Sequence, residues 1–231
     1  MLFAVIAGGF TALIILILAY VLPMHYMHPL SSGKIEGTDI IAVKNRINNI
    51  FFIPSDGDWI AIDAGSDAEM VKQEMERLSI DPNRVKAVFL THTDYDHVAS
   101  IVLFPHAVIY MSEKEKHMTD GSTYRQFLKK NKLPELGASS KIVYLSENEI
   151  TESCKHKIRI IEACGHTKGS AMYAVDDKYL FTGDAFRIAD GRILVHPYTM
   201  DKRKAEETIH HIIEEIKNYE VVFTAHYGFL K

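Results

Sequence analysis

The chain has 231 residues, 47% of them hydrophobic and 24% charged, so it can bury a full core, and disorder as its dominant state is excluded. Two cysteines cannot staple a chain of this length, which excludes a disulfide scaffold. With 26 basic against 30 acidic residues the net charge is -4, and a general nucleic-acid binder, which needs a basic face, is not expected.

Leu2 to Leu22 carries no charged residue, and its only polar side chains are Thr11 and Tyr20. That run matches the roughly 20 residues a helix needs to span hydrocarbon. A cleaved signal peptide fits less well. No Lys or Arg precedes the run, and Leu18-Ala19-Tyr20-Val21-Leu22-Pro23 is a poor cleavage site. The expectation is one transmembrane helix over residues 1–22, a single-pass membrane anchor. Lys34, Lys44 and Arg46 follow the run and nothing basic precedes it except the amino terminus. The positive-inside rule therefore leans towards a cytoplasmic location for the rest. Residues 23–33, with Pro23, Pro29 and a Ser-Ser-Gly end, read as a linker, and residues 34–231 as one domain.

Within that domain, short apolar runs alternate with turn signals. Asn49 to Pro54 and Trp59 to Asp63 flank Ser55-Asp56-Gly57-Asp58, a hairpin signal. Ser66 and Glu69 form a capping-box pair ahead of Met70, Val71, Met75 and Leu78 on one helical face. Strands are expected over 85–90, 108–111, 142–145, 158–163, 172–175, 179–182 and 221–224. Residues 112–140 are a polar, helix-prone insertion. Ala205, Ile209, Ile212, Ile213 and Ile216 mark an amphipathic helix. Strand runs interspersed with helices make this a layered α/β protein.

The chemistry gathers where those strands end. Thr91-His92-Thr93-Asp94-Tyr95-Asp96-His97 follows one apolar strand directly, and His166, Asp184 and His226 each follow another, while Asp63 closes the hairpin. Imidazole and carboxylate are ligand types for zinc, manganese and iron. One sheet edge could collect them all.

The ordered set Asp63, His92-x-Asp94-x-Asp96-His97, His166, Asp184, His226 resembles the metallo-β-lactamase superfamily, over roughly residues 35 to 231. Phe181-Thr182-Gly183-Asp184 and Gly165-His166-Thr167 resemble its glyoxalase-II-like and lactonase-like branches, since true β-lactamases usually carry Cys where this chain has Asp184. The resemblance implies a four-layer αββα sandwich behind the anchor, with metals at one edge between two sheets. It implies one or two divalent metal ions, zinc first, with manganese or iron as alternatives. His92, Asp94 and His166 would hold the first ion, Asp96, His97 and His226 the second, and Asp184 would bridge, while Asp63 fixes a ligand histidine. One residue departs from the pattern: the usual motif reads His-x-His-x-Asp-His, and its second His is here Asp94. That carboxylate favours harder ions and puts the first site in question.

The resemblance further implies hydrolysis of a small ester, lactone, thioester, amide or phosphodiester by a metal-bound hydroxide, with Asp96 and Asp184 as the catalytic carboxylates. A chain of 231 residues has no room for the added domains of larger members, so a small-molecule substrate is expected. His196, Tyr227 and Lys168 are weaker candidates for contacting it, and residues 112–140 for covering it. Two other classes stay open: an iron-dependent redox enzyme on the same fold, and a non-catalytic metal-binding or sensory module. Asp94 and Asp96 could also be plain helix caps.

Overall fold

The computed structural model describes residues 14–18, 21–125, 129–136 and 140–231. Most of the expected membrane span thus lies outside the described residues. Within it, residues 14–18 are helical, and Ile14 through Leu18 are 42–67% exposed. Among the described residues no helix is long and apolar enough to cross a membrane.

Two sheets form the body. The first runs β1 (Gly33–Lys34), β2 (Ile41–Asn45), β3 (Asn48–Ser55), β4 (Asp58–Ile62), β5 (Val85–Phe89), β6 (Val108–Ser112) and β7 (Lys141–Leu145), in that spatial order. The second is built from β8 (Ile150–Ser153), β9 (His156–Glu162), β10 (Ala171–Val175) and β11 (Tyr179–Phe181). A small hairpin, β12 (Arg187–Ala189) and β13 (Arg192–Leu194), stands apart. β14 (Val221–Phe223) and β15 (Phe229–Leu230) complete the second sheet in the order β15-β14-β11-β10-β9-β8. The Asp56-Gly57 turn joins β3 to β4 as its dipeptide predicts.

Alternation along the strands decides which residues meet. In β5, Ala87 and Phe89 face the second sheet and Val88 faces outward, while Val85, before the register shift at the start of the strand, packs with the outer cluster. In β10, Ala171, Tyr173 and Val175 point inward and Met172 and Ala174 outward. The core between the sheets is aromatic at its centre, with Phe51, Phe181 and Phe223 ring centroids 4.9–5.3 Å apart. Each outward face is buried in turn. The helix Ala68–Arg77 puts Val71 and Met75 against the first sheet, and the helix Lys202–Ile212 puts Ile212 against the second. The layers are therefore helix, sheet, sheet, helix, as expected.

The local expectations shift in three places. Asp67, not Ser66, caps the first helix: its backbone is extended there and its carboxylate accepts from Met70 N at 3.2 Å. Ser66 instead donates through N and Oγ to Asn45 Oδ1, and Met70 faces solvent. The isoleucine stripe near the end is split, Ile216 lying in a separate 3-10 turn, Glu215–Asn218. The insertion holds only short helical turns, Glu113–Glu115 and Lys116–Thr119, among its described residues.

The residues read as a linker are partly fixed to the body. His28 N donates to the carbonyl of His226 at 2.7 Å, and Leu30 exchanges two hydrogen bonds with the Asn49 side chain.

Candidate metal centre

β4 and β5 are parallel, as are β11 and β14, and β9 runs in the same sense as β11 through its antiparallel neighbour β10. Asp63, His92, His166, Asp184 and His226 follow the carboxyl ends of these five strands, so all of them arrive at one rim of the sandwich. Gly183 allows the approach. It has a φ of +52°, and a Cβ there would stand 2.4 Å from Thr91 Oγ1.

Asp184 is the hub. Its Oδ1 lies 3.1 Å from His226 Nε2, and its Oδ2 lies 3.3, 3.6, 3.7 and 3.9 Å from the Nε2 atoms of His166, His196, His97 and His92. Burial opposes its charge, but the surrounding imidazoles hold its carboxyl well below the usual range. Asp96 Oδ2 is 3.6 Å from His97 Nε2 and 3.5 Å from His226 Nε2.

The outer ring nitrogens are tied down. His97 Nδ1 donates to Asp63 Oδ2 at 2.8 Å, and His226 Nδ1 donates to the carbonyl of Ile47 at 2.7 Å. Thr91 Oγ1 donates to Asp63 and lies 3.1 Å from His92 Nδ1, so its remaining lone pair can accept from that ring. One buried carboxylate, Asp63, thereby orients two imidazoles, directly and through a hydroxyl. Burial lowers the His97 pKa, but Asp63, Asp96 and Asp184 outweigh it and push the value up to about 10. His166, where burial dominates, is held down to about 4.

A divalent cation suits this donor set. The Nε2 atoms of His92 and His97 and both ring nitrogens of His196 are buried without hydrogen-bond partners, as is Asp184 Oδ1. Asp96, His97 and His226 offer ligand atoms within 4.8 Å of one another, and so do His92, His97 and Asp184. His92, Asp94 and His166 come together at the same spacing, with one difference. Arg125 Nε donates to both Asp94 oxygens at 2.8 and 2.9 Å, and its Nη2 lies 3.1 Å from His166 Nε2. Asp94 also sits at the N-cap position of the turn Tyr95–Val98, but its side chain makes no cap bond.

Of the three weaker candidates, His196 joins the cluster itself, in a group with His166 and Asp184. Tyr227 packs against the His196 ring, centroids 5.8 Å apart, and lines a neighbouring cavity of about 200 Å³. Lys168 is exposed and lines no cavity at the site, because the 165–170 turn presents its other face to Glu115. Three residues of the insertion were not foreseen: Arg125, Asn131 and Glu115. Asn131 Nδ2 donates to Asp94 Oδ1 at 2.9 Å. Glu115 is fully buried, which pushes its carboxyl pKa up, and it receives hydrogen bonds from Thr93, Thr167 and Gly169. Gly169 admits this contact, since a Cβ there would stand 2.0 Å from Glu115 N. The donor cluster opens on a cavity of about 940 Å³ whose walls include Met24, Met27, Arg46, Tyr95 and Lys129.

A family model described as the metallo-beta-lactamase superfamily matches residues 43–226. The chain belongs to the metallo-β-lactamase superfamily. Among its relatives, a hydroxyacylglutathione hydrolase of Glaesserella parasuis is 31% identical over 148 residues, 56% of this chain and 54% of that protein. A probable polyketide biosynthesis zinc-dependent hydrolase of Bacillus velezensis is 27% identical, over 68% of this chain and 60% of that protein. The chain thus spans about half to two thirds of the length of the curated relatives it matches. Solved structures share the fold. A B3 metallo-β-lactamase with an active-site glutamic acid has a TM-score of 0.66 at 15% identity, covering 89% of this chain and 84% of its own. A superfamily protein of Sulfolobus tokodaii gives 0.60 at 19% identity, covering 83% and 81%. The glyoxalase-II-like resemblance agrees with the first of these relatives.

The Asp63 arrangement has a measurable consequence. Asp63→Asn should weaken metal binding by roughly 10- to 100-fold while the chain stays folded, because two ring orientations lose their common acceptor. Competition with a metallochromic chelator measures it, and unchanged affinity would show that Asp63 does not orient the rings.

Proposed function

We propose that this superfamily member is a metal-dependent hydrolase of a small ester, lactone, thioester, amide or phosphodiester, held at a membrane by residues 1–22. The observation that carries the hydrolase reading is the set of buried, partnerless imidazole nitrogens turned towards the Asp184 carboxylate. Asp96, His97, His226 and Asp184 would hold the ion, which nitrogen and carboxylate donors suit best as zinc. When bound, such an ion supplies a Lewis acid and lowers the pKa of a water. Asp96, the most exposed carboxylate of the cluster at 28%, stands where it can take a proton from that water. Asp184 holds the imidazoles around a common centre. Lys129 on the cavity wall suits a substrate with an anionic group, while Arg46 is paired with Asp67 on the same wall. The engagement of Asp94 by Arg125 weakens the part of the iron-redox alternative that rests on that carboxylate as an iron ligand, and so favours hydrolysis.

The anchor is supported by the uncharged run itself and by the exposure of its described apolar residues. The cytoplasmic side remains our expectation from Lys34, Lys44 and Arg46.

The test is a screen of ester, lactone, thioester and phosphodiester substrates on the full chain in detergent, after chelation and after return of zinc, manganese or iron. Hydrolysis that returns with the metal and is lost in His226→Ala is expected. Metal-independent activity retained in that variant would overturn the reading. Oxygen consumption by an iron-coloured protein would replace it with redox chemistry, and a protein that binds the ion but hydrolyses none of these substrates would favour a sensory module.

A further inference from the structure

The two halves of the donor cluster are not equivalent, and the difference concerns a cation the chain supplies itself. Around Asp96, His97 and His226 the outer nitrogens are anchored, the inner nitrogens face one another, and among the described residues no Lys or Arg side chain is hydrogen-bonded to or ion-paired with them. Around His92, Asp94 and His166 a guanidinium is already seated. Arg125 is 7% exposed at its side chain. Its Nε is shared by both Asp94 oxygens, and its Nη2 donates to the carbonyl of Tyr198 at 2.8 Å. The same Nη2 lies 3.1 Å from His166 Nε2. The His166 nitrogen also lies 3.2 Å from Asp94 Oδ2 and 3.3 Å from Asp184 Oδ2, but a guanidinium can only donate, so a contact with Arg125 occupies the lone pair that a metal would need. Two of the three donors of this set are therefore engaged by one fixed positive charge. Asn131 holds Asp94 Oδ1 in place from the other side.

Asp94 is the residue where the sequence departs from the family pattern, and it is the one to which Arg125 is joined. A neutral imidazole at that position would give the guanidinium no counter-charge, whereas a carboxylate gives it two acceptor oxygens. A dication brought against Asp94 and His166 would also meet Arg125 at close range in a buried setting, where repulsion is poorly screened.

The geometry points to Arg125 as the resident cation of the first site, so that the protein binds one divalent ion, at Asp96, His97, His226 and Asp184, where the family pattern provides for two. Arg125 keeps a buried Nη1 with no hydrogen-bond partner and borders the main cavity. The charge that a first ion would have presented is thus carried by the side chain. This inference rests on the metal-dependent reading above.

The deciding measurement is the zinc-to-protein ratio of the full chain, after chelation, zinc loading and dialysis, read by elemental analysis. One zinc per chain is expected for the wild type and two for Arg125→Ala. Asp94→Asn should keep its one ion, and His226→Ala should lose it. These readouts need no activity, and circular dichroism establishes that each variant is folded. If Arg125→Ala does not fold, the wild-type ratio and the Asp94→Asn variant still decide. Two zinc ions in the wild type, one in Arg125→Ala, or loss of the ion in Asp94→Asn would overturn the proposal and leave the hydrolase reading intact. A wild type that retains no zinc, manganese or iron would overturn both.

Discussion

Asp184→Ala should abolish metal retention and lower kcat/KM by about a thousandfold or more. Five imidazole Nε2 atoms lie within 3.1–3.9 Å of the Asp184 carboxylate, and no other carboxylate reaches more than two of them. Removing it takes away the one carboxylate that all five imidazoles share and leaves Asp94 and Asp96, each of which reaches only two of them. The transition-state stabilisation that a held ion supplies, several kcal/mol, then disappears, and each 1.4 kcal/mol is a factor of about ten. The check is paired: metal content by elemental analysis and hydrolysis of the best substrate from the screen. A variant that keeps both would show that the convergence on Asp184 has no role in the chemistry.

The second large effect is on stability. Glu115→Ala should cost about 4 kcal/mol and lower Tm by about 10 °C. Glu115 Oε1 accepts from Thr93 N at 2.8 Å and Thr93 Oγ1 at 2.6 Å, and Oε2 accepts from Thr167 Oγ1 at 2.7 Å and Gly169 N at 3.2 Å. The two hydroxyls can turn to new acceptors, but the two backbone N–H groups are buried and cannot. Those four donors belong to the loops carrying His92, Asp94, Asp96 and His97 on one side and His166 on the other. The variant should therefore loosen metal binding as well as unfold early. Thermal unfolding followed by circular dichroism reads the first effect. Glu115→Gln, which keeps one acceptor oxygen, should recover about half of the loss, and an Ala variant as stable as the wild type would show that the loops are held apart from Glu115.

How legible the site was depended on what ordered each residue. His92, His166, Asp184 and His226 follow strand ends, and strands announce themselves by apolar runs, so one rim could be expected to collect them. Asp63 was legible for the same reason. Asp96 and His97, in the turn Tyr95–Val98, were legible through the motif that the superfamily resemblance supplied. The four layers were expected from the superfamily resemblance, and β5, apolar apart from Lys86, is covered on both faces. His196 was less legible because it follows no long strand and keeps no motif spacing to another ligand. Arg125, Asn131 and Glu115 were invisible. They belong to short turns and irregular chain after β6, where no periodicity assigns a side chain a direction, and only tertiary packing turns them towards Asp94 and the ligand loops. The helix cap slipped by one residue because Ser66 and Asp67 are both competent caps, and Asn45, distant in sequence, claims the first.

The hydrogen bond from His28 to the His226 carbonyl, with Met24 and Met27 in the cavity wall, bears on how the protein can be shortened. A truncation beginning near residue 30, which dispenses with the uncharged run, would remove part of the cavity wall and unfasten the backbone of His226. A cut placed upstream of Met24 spares both. Two such fragments, differing by fewer than ten residues, would not be interchangeable reagents.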